Sequence, residues 1–110
     1  EVTRVLVTLD ITQEVVAEAA AKHCEAIVAH RPVIFDPLKK LGPQDVPFRL
    51  VRAGISAICM HTNLDAAAGG VNEVLAGIFG MQDPAPFAEG CGRVRQITTP
   101  PAMQSGGACR

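Results

Sequence analysis

An excess of positive or negative charge is missing from this sequence: Lys and Arg number 10, Asp and Glu 11, and the formal net charge is -1. A protein that tracks a phosphate backbone gathers its cations into a basic stripe, and here the charges are scattered, so no nucleic-acid partner is expected. Long apolar runs are missing too. Nothing approaches the roughly 20 residues that span a bilayer, and Glu1 to Arg4 do not look like the basic start of a signal peptide. The expected location is the cytoplasm, with no membrane partner. Cys24, Cys59, Cys91 and Cys109 lie far apart, with no C-x-x-C and no zinc-ribbon spacing. That removes a cysteine metal site and leaves Cys24 and Cys59 to be read as reduced, buried thiols. A G-x-G-x-x-G phrase is also absent, and Gly69-Gly70 is too short to cradle phosphates, which counts against a metal-free nucleotide-binding module.

What is present suits one compact domain: 110 residues, 48% of them hydrophobic and 19% charged. A domain this small buries a limited share of its surface, so any site should be open or shared between subunits. Arg4 to Leu9 is a β-branched run of strand length, and its near-continuous apolarity predicts a strand covered on both faces. Thr12 can cap a helix over 13 to 24, in which Val15, Val16, Ala19 and Ala20 form a stripe at helical spacing. Glu14, Glu18 and Lys22 step by four along its exposed side. His23 is expected as a solvated or partly buried helix residue. A second strand covers 26 to 30 and is stopped by Pro32. The proline-rich stretch from Asp36 to Pro47, with Lys39 and Lys40 as solvated charge, reads as a surface loop. A weaker helix follows at 46 to 53, then a strand at 55 to 60. A well-defined helix runs over 71 to 79, with Gly80 placed to end it.

Alternating strands and helices imply parallel strands joined by right-handed crossovers, a three-layer α/β arrangement with a mainly parallel sheet and flanking helices. The expected organisation is an α/β domain over 1–82 followed by an irregular or disordered tail over 83–110, rich in Pro and Gly. Ligands of such sheets bind beyond the carboxyl ends of the strands. Asp10, His30 and His61 each follow a predicted strand, so all three should emerge on one edge, with Asp65 four residues beyond His61. Imidazole and carboxylate groups are what zinc, manganese and iron accept. Strand-end Asp and His also cap the next helix or bond backbone, and on spacing alone both readings stand.

A resemblance adds to this. The phrases Val5-Leu6-Val7-Thr8-Leu9-Asp10-Ile11-Thr12, Ala29-His30-Arg31-Pro32-Val33-Ile34-Phe35, Pro37-Leu38-Lys39, His61-Thr62-Asn63-Leu64-Asp65-Ala66-Ala67 and Gly69-Gly70-Val71-Asn72 occur in an order that resembles the Nif-three-like family, the GTP cyclohydrolase 1 type 2 homologues. The similarity covers roughly Val2 to Met81. It implies a dinuclear metal-binding fold with hydrolase chemistry, a nucleotide or phosphorylated small molecule as substrate, and a ring-like homo-oligomer. In the family the first histidine of a His-His-Pro motif and the aspartate of His-Thr-x-x-Asp are metal ligands, so by resemblance His30 and Asp65 take those roles, with His61 and Asp10 beside them. This sequence departs from the pattern at Arg31, where the family's second histidine stands, since a guanidinium cannot ligate a metal. The family's later His-x-x-x-Glu pair and its opening Trp-Asp-Asn segment have no counterpart, so the chain is expected to be a central fragment. Gly92-Arg93-Val94 resembles a family phrase with Arg95 in place of a glycine, and Gln104 to Arg110 resembles nothing in the family. The resulting expectation is at most one weakly held divalent ion and negligible GTP hydrolysis; the competing one is a catalytically incompetent domain with a structural or assembly role.

Overall fold

In the computed structural model residues 1–95 are described. The rest of the expected tail, including Cys109, lies outside the described residues. The chain is α/β, with a parallel sheet and flanking helices. It divides into two compact units, Glu1–Leu64 and the stretch from Asp65 onward.

The first unit contains β1 (Val5–Thr8), α1 (Gln13–Ala21), β2 (Ala26–Ala29), α2 (Val46–Ala53) and β3 (Ser56–Cys59). The strands lie in the order β1-β2-β3, and both pairings are parallel, as the sequence predicts. Thr8, Ala29 and Cys59 share the last register row, so the three strands finish level. α1 starts where expected: the Thr12 hydroxyl accepts from the Val15 N–H at 3.3 Å. It ends earlier than the predicted residue 24. His23 adopts a left-handed φ of 55°, Cys24 N–H bonds Ala19 C=O at 2.8 Å and His23 N–H bonds Ala20 C=O at 3.1 Å. Those are the two bonds of a Schellman cap, here built on a histidine rather than a glycine. α2 ends the same way on Gly54, at φ 67°, and its closing bond from Ile55 N–H to Leu50 C=O joins two core residues. The Lys22 ammonium donates to Glu18 across one turn of α1.

A sheet that steps β1-β2-β3 without reversing puts both right-handed crossovers on the same face. α1 and α2 accordingly pack against one another. Between them and the sheet sit Ile11, Val16, Ala19, Ile27, Ala29, Leu50 and Ile55. Ile27, on the central strand, is the largest fully buried side chain. The opposite face carries the alternate row, and there Val5, Val7 and Ile58 are 49, 77 and 54% exposed. β1 is thus half-buried on one face and open on the other, which corrects the expectation of a strand covered on both. A continuous apolar run cannot separate the two cases, because Val5 and Val7 satisfy either. Cys24 and Cys59 are free thiols, half-buried rather than buried.

α3 (Thr62–Ala66), a short helix absent from the sequence reading, runs across the division between the units. The second unit continues with α4 (Val71–Ile78), closed by Gly80 at φ 68° with Met81 N–H on Ala76 C=O at 2.9 Å. From Asp83 the chain is not irregular throughout: β4 (Ala85–Phe87) and β5 (Gly92–Val94) pair antiparallel. The turn between them uses positive φ at Ala88 (50°) and Glu89 (56°), residues that give no turn signal in sequence. A Cβ on Gly92 would fall 2.5 Å from the Phe87 ring, so any other residue there requires that ring to move. The Arg93 side chain, 8% exposed, donates to the carbonyls of Gly90 (2.7 Å), Gly92 (3.0 Å) and Ala66 (3.4 Å) and reaches Glu73 at 3.4 Å. Glu73 titrates below the ordinary carboxylate range, chiefly because it accepts the Gly69 N–H and then because of Arg93.

Candidate functional site

The level carboxyl ends of the strands fix where the candidate side chains begin. One ladder step beyond the last register row, Arg31 N–H bonds Leu9 C=O at 3.1 Å and Met60 N–H bonds Ala29 C=O at 2.8 Å. Those bonds hold the segments leaving all three strands side by side. His30 follows β2 directly, and His61 lies two residues beyond β3.

Their rings meet: the His30 and His61 centroids are 6.2 Å apart with planes at 86°. Phe35, from the loop after β2, stands edge-on to His61 at 5.9 Å. His30 is half-buried and His61 exposed, so the pair forms an open mouth rather than an enclosed pocket. The His61 N–H is held by Asn63 Oδ1 at 2.8 Å, a local turn that orients the residue into α3. Asp10 is in the same unit, and its carboxylate faces Arg31, with Oδ2 3.9 Å from Nη1; the two side chains are 53 and 65% exposed. The Thr8 hydroxyl donates to the Asp10 carbonyl at 3.0 Å and stiffens that bend. Asp65 belongs to the second unit. It is half-buried in α3, and its backbone carbonyl accepts Asn72 Nδ2 at 3.0 Å, while the same amide donates to Cys91 C=O at 2.8 Å.

The structure therefore brings His30 together with His61 and Asp10 together with Arg31. Two edge-on imidazoles at this spacing can face one cation, for which nitrogen ligands lie about 2.0–2.1 Å away. A tightly held ion takes three or four protein ligands. Among the described residues no group of three or more His, Cys, Asp or Glu side chains is placed to hold a metal ion. Arg31 offers only donors, and the Asp10 carboxylate is turned toward it. The donor set in the first unit is thus short of a dinuclear centre. Phe35 and Asn72 were given no separate role by the sequence. Phe35 meets His61 across more than twenty residues that include α2 and β3, and Asn72 serves the carbonyls of Asp65 and Cys91, contacts that no spacing rule encodes.

Comparison with known proteins places these features in a lineage. Residues 1–107 match the family model described as Duf34/NIF3 (NGG1p interacting factor 3). A GTP cyclohydrolase 1 type 2 homolog of Lactococcus lactis is 43% identical over 103 residues, covering 88% of this chain and 40% of that protein. The NGG1-interacting factor 3 of Saccharomyces cerevisiae is 44% identical over 78 residues, 66% of this chain and 27% of that protein. Among solved structures, a Bacillus cereus protein related to NIF3 superposes with a TM-score of 0.70 at 38% identity, over 77% of this chain and 25% of that one. Reduced HcgD from Methanocaldococcus jannaschii gives 0.75 at 25% identity, over 84% of this chain and 38% of that one. The chain thus spans well under half the length of these relatives.

Proposed function

The chain belongs to the Duf34/NIF3 family, and on that premise we propose that it carries part of a divalent-metal site, built on His30 and Asp65 with His61 and Asp10 beside them. The observation that supports this best is the perpendicular His30–His61 pair, 6.2 Å between centroids, at the carboxyl edge of a parallel sheet. Its curated relatives are named GTP cyclohydrolase 1 type 2 homologs, so the activity proposed for the complete family protein is metal-dependent hydrolysis of a nucleotide or phosphorylated small molecule. A bound zinc, manganese or iron ion would supply Lewis acidity there. The two imidazoles and the Asp65 carboxylate would be the donors, and the fixed positive charge of Arg31, next in sequence to His30, would oppose a dication. The chain as it stands is proposed to hold one ion weakly and to hydrolyse GTP negligibly, in the cytoplasm. No helix among the described residues is long and apolar enough to cross a membrane.

Calorimetric titration with zinc and manganese tests this. Weak binding of one ion is expected, tightened by Arg31→His and lost in Asp65→Ala. Tight uptake of two ions by the unmodified chain, or binding indifferent to Asp65→Ala, would overturn the assignment.

A second reading, a catalytically incompetent domain with an assembly role, is favoured by apolar surface in each unit. The bare sheet face of the first unit exposes Val7 (77%) and Ile58 (54%), and the end of α4 in the second exposes Ile78 (73%) and the capping Phe79 (71%). Contiguous apolar patches of this kind mark association surfaces. Self-association into a homo-oligomer is therefore expected. Light scattering that reports a monomer over a wide concentration range would count against it.

A further inference from the structure

We propose that the groove between α1 and α2 binds a small apolar carboxylate, with Arg49 as its principal donor and Arg52 beside it. This goes beyond the metal reading, since none of Asp10, His30, Arg31 and His61 lines the groove. Its volume is about 470 Å³, within the roughly 300–1,000 Å³ of small-molecule sites. α1 contributes Val16, Ala17 and Ala20, and α2 contributes Phe48 and Ala53. Val16 belongs to the buried core and closes the groove toward the sheet, and Phe48 is half-buried. The exposed alanines leave the space above them open. Ten lining residues fall short of the roughly 20–30 per side of a standard protein interface, so a small molecule fits the groove better than a protein partner does.

The charge of the groove is one-sided. Arg49 and Arg52 both line it, and they lie three residues apart on α2, the spacing that puts two side chains on one helix face. Among the described residues neither guanidinium is ion-paired with a carboxylate. The Asp45 carboxylate accepts the Gly42 N–H instead, at 2.6 Å. Glu14 on α1 is the group that opposes an anion here. Its carboxyl titrates below the ordinary range chiefly through its own backbone N–H and then the Thr12 hydroxyl, with Arg49 the weakest cause. Arg49 is also held in place: Nη2 donates to Gln44 Oε1 at 2.7 Å, and Gln13 Nε2 donates to Gln44 C=O at 2.7 Å, tying the segment before α2 to α1. The Arg49 Nε–H is buried and meets no acceptor among the described residues. A cation drawn partly out of water without a counter-charge is stabilised by an anion at its open end. A guanidinium fork matches the two oxygens of a carboxylate, and apolar walls beside the pair strengthen it by keeping water away. The same walls receive the hydrocarbon body of the ligand.

The experiment uses phenylacetate as the probe and phenylacetamide as its uncharged counterpart, each titrated into the full chain at constant ionic strength in chelator-treated buffer and followed by NMR. Saturable shifts at Ala17, Ala20, Phe48, Ala53 and the Arg49 Nε–H are expected with phenylacetate. Phenylacetamide should bind about tenfold more weakly, and Arg49→Gln should weaken phenylacetate by a similar factor, the loss of a hydrogen bond between charged groups. Ala20→Leu keeps a strong helix former at an exposed position and fills the groove, so it should abolish the shifts. Lys40→Gln, outside the groove, should leave binding unchanged. Phenylacetamide binding as tightly as phenylacetate, unchanged affinity in Arg49→Gln or Ala20→Leu, or shifts that never saturate would overturn the proposal. The comparison of acid with amide is made on the unmodified chain, so it decides the matter even where a variant does not fold.

Discussion

Ile27 and Ile58 offer a matched pair for testing how the sheet is covered. Both are isoleucines on adjacent parallel strands, on opposite faces, and their exposures are 0% and 54%. Ile27 touches the layer of α1 and α2 and belongs to the same buried cluster as Val16, Ala19 and Leu50. Truncating it to alanine removes three buried carbons and leaves a cavity, for which core substitutions cost about 2–5 kcal/mol. Truncating Ile58 removes surface already half in water and opens no cavity. Full burial of such a side chain is worth roughly 1.5–3 kcal/mol, so half of it gives about 1 kcal/mol. The two variants should differ by about 2 kcal/mol, a factor of roughly 30 in the unfolding equilibrium. In a unit this small the Ile27→Ala midpoint should fall by about 10 °C or more. Urea and thermal unfolding followed by circular dichroism at low micromolar concentration provide the measurement. Equal losses in the two variants would mean that the Val5, Val7 and Ile58 face is covered in solution, and the reasoning from exposure would fail.

Two further outcomes follow from polar contacts. Glu25, just before β2, accepts from Arg4 N–H (2.7 Å), Thr3 N–H (3.1 Å) and the Thr3 hydroxyl (3.0 Å), and these bonds hold its pKa at about 2, with Arg4 the largest cause. Because the folded value lies below the ordinary one of 4.5, the contribution of Glu25 is fully present above that pH and is lost as the pH falls toward 2. Glu25→Gln should flatten the acid limb of the stability curve, and a carboxyl resonance titrating at the ordinary value would refute the assignment. In the second unit Arg93→Ala should cost about 2–3 kcal/mol through the carbonyls it abandons, whereas Glu73→Gln, acting at a 43% exposed carboxylate, should cost less than about 1 kcal/mol. Hydrogen exchange at α4 and β5 reads both. Equal protection in the two variants would show that the Arg93 carbonyl contacts carry no stability.

The sequence by itself determined the alternation of elements and the sheet edge that His30 and His61 share. Val46–Ala53 is helical as predicted, because Pro47 sits in its first turn and Gly54 closes it. The parallel pairing follows from strands too far apart in sequence for hairpins, separated by segments with helical spacing. Placing His30 and His61 after strands was enough to foresee that they share an edge, and their rings do meet. The chain ordering of the motifs was enough to identify the family.

Tertiary structure alone decided the rest. The end of α1 depended on His23 entering the left-handed region, which local pattern does not force on a non-glycine. The β4–β5 hairpin depended on Ala88 and Glu89 doing the same, with the Arg93 side chain spanning the carbonyls around the turn. Strand order decided which face is bare: three strands stepping one way put α1 and α2 together, and the consecutive apolar residues Leu6 and Val7 cannot be assigned to the covered or the bare face until that order is known. Asp10 was legible as a strand-end carboxylate, but its orientation toward Arg31 at 3.9 Å came from the ladder bond at Leu9, a contact between residues more than twenty positions apart. Sequence fixes which chemical groups each strand end carries; which of those groups meet depends on chain segments whose proximity is set by the pairing of the strands.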